Sequence, residues 1–236
     1  MVSLNSPVSR RRRVPWVSCS FVGAVLLAGG WPVVANGIED LRSLSFSSSM
    51  EWWRPLTGHL AHRGWTHLLL NVVLFAPLAL FREQRRGSVA FLKEYLFLAA
   101  IVAAGVRLFH GDWQSYRGLS GIIYGFLVLI LVQETVKLER RIGRRRVPGW
   151  SILVLALLLG KTLVEVFSGG WAFLPGGLSD SLGVNYLPGS HLAGMVGGGL
   201  LALVEFSVDR KKVRPPAGGR DASQARDGLS SADAAV

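Results

Sequence analysis

The stretch Gly118-Leu-Ser120-Gly121-Ile-Ile-Tyr124-Gly125-Phe-Leu-Val-Leu-Ile-Leu-Val-Gln133 decides how the whole chain is read. It carries no charge until Glu134, the pattern of a helix that crosses hydrocarbon rather than of a soluble amphipathic one. Near its start stands Ser120, a hydroxyl where an ordinary span keeps Leu or Val. Burying such a group is costly, so a nucleophilic or ionisable residue in that setting is a functional-site hypothesis by default.

Working outward, the same pattern recurs. Half of the 236 residues are hydrophobic and 17% are charged. Near-continuous apolar runs predict six spans, at 15–36, 59–81, 89–109, 118–136, 148–167 and 189–208. The first run follows Arg10-Arg11-Arg12-Arg13 and superficially resembles a signal peptide. Its apolar length exceeds an h-region and Val33-Val34-Ala35-Asn36 is a poor cleavage site, so it is read as a retained span. Cys19 is the only cysteine, which rules out an intrachain disulfide and a cysteine-built metal site.

The net charge of +11 does not point to nucleic acid, because the basic residues form short clusters between spans with no interleaved aromatic platform. Arg10–Arg13 precede span one; Arg82, Arg85 and Arg86 follow span two. Lys137, Arg140, Arg141 and Arg144–Arg146 follow span four, and Arg210, Lys211, Lys212 and Arg214 follow span six. The alternate loops, 37–58, 110–117 and 168–188, carry only Arg42, Arg54 and Arg117. Positive segments face the cytoplasm, so the expectation is six crossings with both termini cytoplasmic. Trp52 and Trp53 in the first outer loop are expected at headgroup level. The chain divides into a basic cytoplasmic N-terminus (1–14), a six-span domain (15–208) and a basic, then disordered, cytoplasmic tail (209–236) rich in Pro, Gly, Ala, Ser and Asp.

Under this topology spans two, four and six run from outside to inside. Counting back from Arg82, Gln133 and Glu205 puts His67, Ser120 and His191 roughly 22, 20 and 21 Å above the inner boundary. The three therefore share one layer, about 10 Å below the outer surface of a hydrocarbon core about 30 Å thick. A neutral imidazole at the depth of a serine can take the hydroxyl proton as an acyl carbon is attacked. No Asp lies in the spans that carry Ser120 or His191, so the minimal arrangement is a Ser–His dyad. His67 and Asn71 stand at i and i+4 on one helix face, and with the Ser120 backbone N–H they make a three-donor site for a developing oxyanion. Gly118 and Gly121 leave room beside Ser120, and Gly194 and Gly198 form a small-xxx-small face that lets span six approach a neighbour closely. Tyr124, one turn after Ser120, is placed to pack on the His191 imidazole.

Each of these features also has a blander explanation. A serine in a span commonly back-bonds to its own helix, and Gly-xxx-Gly is a general packing motif. His59, His62 and His67 lack the acidic or cysteine companion of a zinc site, so no metal and no cofactor is expected. Lys161 and Glu165, four apart in span five, read as a mutually neutralising pair facing the bundle, with a transport role as the alternative. Transport predicts inverted repeats or broken spans in matching positions, which the sequence lacks. Asn185 and Tyr186 read as ordinary loop residues. An α/β-hydrolase elbow needs Gly two residues after the serine, where this chain has Ile122.

As an ordered set, Trp53-Arg54, His62, His67-Leu-Leu-Leu-Asn71, Gly118-Leu-Ser120-Gly121 with Tyr124, and His191-Leu-Ala-Gly194 with Gly198 resemble the rhomboid family of intramembrane serine proteases. The resemblance covers roughly residues 15–208. It implies an all-α, six-transmembrane-helix bundle with Ser120 as nucleophile, His191 as general base, and His67 and Asn71 as oxyanion stabilisers. It places His62 in a hydrogen-bond network near the first loop. Ser190 departs from the alanine that many rhomboids have before the histidine. The compact core and the run Trp53-Arg54-Pro-Leu-Thr-Gly-His59-Leu-Ala-His62 are most similar to rhombosortases, bacterial rhomboids associated with C-terminal Gly-Gly-containing membrane tails. The implied partners are the lipid bilayer and single-span membrane-protein substrates, in a bacterial inner membrane. The alternative is a catalytically silent rhomboid-like escort protein, a class that usually loses the serine or the histidine. Both are present here.

Overall fold

A computed structural model of the chain describes residues 14–35, 53–62, 64–109, 116–142, 148–168 and 187–213. Regular structure among these residues is helical: α1 (Trp16–Ala35), α2 (Arg54–Thr57), α3 (Trp65–Arg86), α4 (Ser88–Phe109), α5 (Ser120–Ile142), α6 (Gly149–Ser168) and α7 (Pro188–Val213). The helices α3 to α7 each contain a stretch long and apolar enough to cross a membrane, and α1 contributes a shorter apolar stretch, Trp16–Ala28. The chain is therefore an integral membrane protein with a helical bundle. The N-terminal basic segment, most of loops 37–58 and 110–117, all but the ends of loop 168–188 (Asn185 and Tyr186 included) and the tail from Arg214 lie outside the described residues.

Two expected boundaries shift. Residues 59–64 do not belong to the span that follows: His59 and His62 sit in a turn segment, and α3 begins only after Gly64, whose φ of 109° breaks the helical path. At its other end α3 runs on to Arg86, because its polar residues there have partners within the bundle. Arg82 is buried, donating from Nε and Nη2 to the two Glu94 carboxylate oxygens of α4 (2.6 and 2.8 Å) and from Nη1 to Gln133 of α5 (2.5 Å). A buried guanidinium is tolerable only with a bidentate carboxylate and its remaining donors satisfied. Arg82 thus belongs to the interior, and the exposed positive charge at this end of α3 reduces to Arg85 and Arg86.

Next to it, Glu83 reaches the start of α1. Its Oε1 accepts from the Val17 backbone N–H (3.1 Å) and from Ser88 Oγ, and its Oε2 accepts from the Ser18 backbone N–H (2.6 Å). The first amides of a helix have no intrahelical acceptor and the helix end attracts negative charge, so this carboxylate caps α1 from another helix. Above this layer an aromatic cluster joins four helices: Phe21 packs on Tyr95 and Phe75, Phe75 on Phe126, and Phe126 stacks on Phe91.

The helix α6 has its polarity turned inward. Ile152, Leu153, Leu157, Val164 and Phe167 are exposed, whereas Ser151, Thr162 and Glu165 are buried. In a bilayer the exposed apolar face is the one lipid covers, and polar groups turn to the bundle. One end of α6 is tied to α5 by the hydrogen bond from Thr135 Oγ1 to Ser151 Oγ (2.7 Å), the other by that from Lys161 Nζ to Tyr124 Oη (2.7 Å).

By backbone contacts the chain forms two compact units, Met1–Leu201 and Ala202–Val236. Every residue discussed as part of the site lies in the first.

Candidate functional site

His67, Ser120 and His191 are the third, first and fourth residues of α3, α5 and α7. All three polar residues thus occupy the opening turn of their helices. The amides of an opening turn have no i−4 acceptor, so a first-turn serine brings an uncommitted backbone donor together with its hydroxyl.

Glycines bring α5 and α7 together. A β-carbon added at Gly194 would stand 1.9 Å from the Gly121 carbonyl oxygen, and one at Gly198 would stand 2.1 Å from that of Gly125. One turn earlier, a β-carbon at Gly121 would lie 2.8 Å from the Ser190 carbonyl oxygen. The residue after Ser120 therefore meets the residue before His191 at backbone-to-backbone distance. Only glycine permits that approach. Ser190 is buried and donates through Oγ to the Leu187 carbonyl oxygen (2.7 Å), tightening the start of α7.

Tyr124 lies parallel to the His191 imidazole, ring centroids 4.2 Å apart and planes 7° apart, which is the contact its spacing from Ser120 suggested. Stacking on a flat ring fixes the plane of the imidazole while leaving its nitrogens at the edges. His191 itself is buried.

The other wall is the entry to α5. Gly118 has a φ of 115°, and a β-carbon there would lie 2.8 Å from His67 Cε1 and 3.5 Å from Asn71 Nδ2. His67 and Asn71, both buried, thus line the backbone that leads into Ser120. Asn71 donates one amide hydrogen to the His67 carbonyl oxygen (3.0 Å); a carboxamide has a second to offer.

The segment before Ser120 is held by Tyr116, Gly58 and His59, none of which was expected to act at the site, and beside it lies His62, which the resemblance assigns to a network near the first loop. Tyr116 Oη donates to the Gly118 carbonyl oxygen (2.9 Å), and the Gly118 N–H donates to the Gly58 carbonyl oxygen (3.1 Å). His59 is fully buried, with Nδ1 3.4 Å from the Gly118 oxygen and Nε2 3.3 Å from the Ala99 oxygen. Its ring meets that of Tyr116 edge-on. His62 Nδ1–H donates to the Leu60 carbonyl oxygen (3.0 Å) and its ring meets His67 edge-on. Burial pushes the imidazoles of His59 and His62 well below their ordinary value, so both are neutral. These histidines brace the loop. For His59 the signal that points to this role is its placement in an apolar run directly ahead of the His67–Asn71 pair.

Glu165 is the larger surprise. Rather than only neutralising Lys161, it lies against the histidine: its Oε2 is 3.7 Å from His191 Nδ1, while its Oε1 meets Lys161 Nζ. Lys161 in turn donates to Tyr124 Oη. A closed circuit results, His191 to Glu165 to Lys161 to Tyr124 and back through the ring stack. The sequence expectation of a carboxylate-free pair overlooked span five, because Lys161 and Glu165 at i and i+4 account for each other's charge on one helix and no periodicity reveals that the helix turns them toward α7.

The fold and these contacts describe a helical membrane protein whose polar centre is assembled from the opening turns of three long helices. Residues 49–208, more than half of the chain, match the Rhomboid domain, and the chain belongs to the rhomboid family. It is similar to "Rhomboid-like protease 3" of Toxoplasma gondii, at 30% identity over 137 residues, which cover 55% of this chain and 51% of that protein. The chain thus spans about half the length of that relative. It is also similar to YdcA of Bacillus subtilis (strain 168), whose name places it among the rhomboid proteases. The identity there is 29% over 167 residues, 70% of this chain and 71% of that protein.

Proposed function

We propose that this rhomboid-family chain is an intramembrane serine endopeptidase. In this reading Ser120 is the nucleophile and His191 the general base. The observation that carries the reading is the contact of Gly121 with Ser190 together with Tyr124 stacked on His191, which joins the two reactive residues' helices at their first turns. The Ser120 hydroxyl proton passes to the imidazole as Oγ bonds to the scissile carbonyl carbon. The oxyanion is met by His67, the second Asn71 hydrogen and the Ser120 backbone N–H. His191 returns the proton to the leaving amine as the C–N bond breaks, and water then hydrolyses the acyl-enzyme by the same route. The chemistry as drawn uses no cofactor.

The proposed domain comprises residues 15–208, with both termini cytoplasmic and the site near the outer edge of the bilayer. A single-span membrane protein whose helix ends at that depth fits such a site, since the bond to be cut must be extended and free of its own helical hydrogen bonds. The run from Trp53 to His62 favours the rhombosortase subfamily, substrates with Gly-Gly-containing C-terminal membrane tails, and a bacterial inner membrane.

The test is covalent labelling with a serine-directed fluorophosphonate, read by mass spectrometry of the modified peptide. Ser120 should be labelled in the wild type. Label should vanish in Ser120→Ala and fall sharply in His191→Ala, because an unassisted hydroxyl is a weak nucleophile. Continued cleavage of a membrane substrate by Ser120→Ala would end the assignment.

A further inference from the structure

We infer that Glu165 is the positioning carboxylate of the site, completing a Ser120–His191–Glu165 relay that includes span five; the inference rests on the protease reading above. Four observations converge. Glu165 is fully buried, and its Oε2 faces His191 Nδ1 at 3.7 Å, within ion-pair range. Lys161, on the same helix, engages the other carboxylate oxygen and so supplies a countercharge in an apolar interior. Tyr124 clamps the imidazole plane on one side and receives Lys161 Nζ on its hydroxyl. The α6 face that carries Glu165 is turned inward although the rest of the helix is apolar and exposed.

The chemistry follows from which nitrogen the carboxylate faces. A carboxylate beside Nδ1 favours the tautomer with its proton there, leaving Nε2 unprotonated and able to act as base. When the Ser120 proton arrives at Nε2, the ring becomes a cation between Nδ1–H and Glu165, and the pair shortens toward a charge-assisted hydrogen bond. Distances of this kind are often long before substrate binds and tighten on the reaction path. Glu165 neither gains nor loses a proton; it stabilises the imidazolium and holds its plane. Lys161 moderates the effect by sharing the carboxylate. Among the described residues, the charged or titratable side chains facing the imidazole include Glu165 and Lys161 from α6 and Tyr124 from α5.

The bland reading is that Glu165 serves only to neutralise Lys161. The two are separated by comparing Glu165→Gln with the charge-free double variant Lys161→Gln/Glu165→Gln. Each is made in the full-length protein, with kcat and KM measured on a transmembrane substrate that the wild type cleaves and Ser120 labelling followed in parallel. An orienting role predicts that Glu165→Gln loses roughly 10²-fold in kcat with KM unchanged, less than the 10⁴-fold typical when a tightly bonded triad carboxylate is replaced. The double variant should remain slow, and Ser120 labelling should slow with kcat in both. Should Glu165→Gln alone unfold because it strands the ammonium, the double variant carries the test by itself. Recovery of the double variant to within about two-fold of wild type, or a wild-type kcat in Glu165→Gln, overturns the inference. A wild type that Ser120-directed probes do not label overturns the protease reading and this inference with it, whereas a labelled wild type with an indifferent Gln variant overturns only the role of Glu165.

Discussion

Gly194 of α7 faces Gly121 of α5 so closely that the space for a methyl group at Gly194 is already occupied by the Gly121 carbonyl oxygen, 1.9 Å from where that carbon would stand. The nearest atoms are main-chain, not the ends of flexible side chains, so nothing can yield without moving a helix.

The first prediction follows from that contact. Gly194→Ala and Gly198→Ala should each destabilise the detergent-solubilised protein by about 1–3 kcal/mol, the usual cost of overpacking, and should abolish Ser120 labelling by pushing His191 away. Gly199→Ala, where a β-carbon meets nothing within 4 Å, should leave both melting temperature and labelling at wild-type values. Normal labelling of Gly194→Ala would show that the helix contact does not set the site.

The oxyanion donors can be tested by rate. His67→Ala and Asn71→Ala should each lower turnover by roughly 10²–10³ while leaving KM near wild type, since the donors act on charge that exists only along the reaction path. The double variant should lose less than the product of the single losses, as residues of one hole act as a unit. Unchanged turnover in both single variants removes them from the mechanism.

A third expectation concerns acid. His59 and His62 are neutral and held below their ordinary value of 6.5 by burial, His59 against Tyr116 and His62 against His67. A histidine whose folded value is depressed gives stability that is complete above the unfolded value and is lost as pH falls from there toward the folded one. The 58–62 segment should therefore open more readily below pH 6.5, with a slope of up to about 1.4 kcal/mol per pH unit for each imidazole. Hydrogen exchange of these amides as a function of pH measures it, and His59→Phe should flatten the dependence. A pH-independent exchange rate from 7.5 to 5.5, after correction for intrinsic exchange, would contradict it.

Membrane orientation is open to a direct experiment. Reporter fusions at Asp112 and Gly143 should report opposite sides, with Asp112 outside, because the basic residues cluster on alternate loops. Agreement between the two fusions would sink the six-span topology.

The spans were legible in the sequence because hydrocarbon imposes a length and a composition that need no knowledge of neighbours. Helix ends were less so. The start of α3 moved from 59 to 65 because a positive-φ glycine and a braced turn occupy that depth, and its end moved to Arg86 because Glu94 and Gln133 make a buried Arg82 tolerable. Glycine spacing announced a close helix contact, although not that Gly194 would land on Gly121. Tyr124 on His191 followed from one turn of helix. Glu165 did not, because its role depends on the rotation of α6 about its axis. The bracing roles of His59 and Tyr116 were not legible for a similar reason: their partner is a backbone carbonyl, and a carbonyl leaves no trace in residue identity.

The carboxylate that caps α1 carries a consequence for how this protein is made. Glu83 lies 65 residues beyond the Ser18 amide it accepts from, and it is held in place by Ser88 at the head of α4. During synthesis α1 is therefore delivered to the bilayer before its acceptor exists. Its opening amides must stay in contact with interfacial water until α3 and the start of α4 have followed. Translated ahead of α3, α1 can be fastened only once Glu83 has followed it, and a chain ending short of residue 83 would leave the Val17 and Ser18 amides without this acceptor.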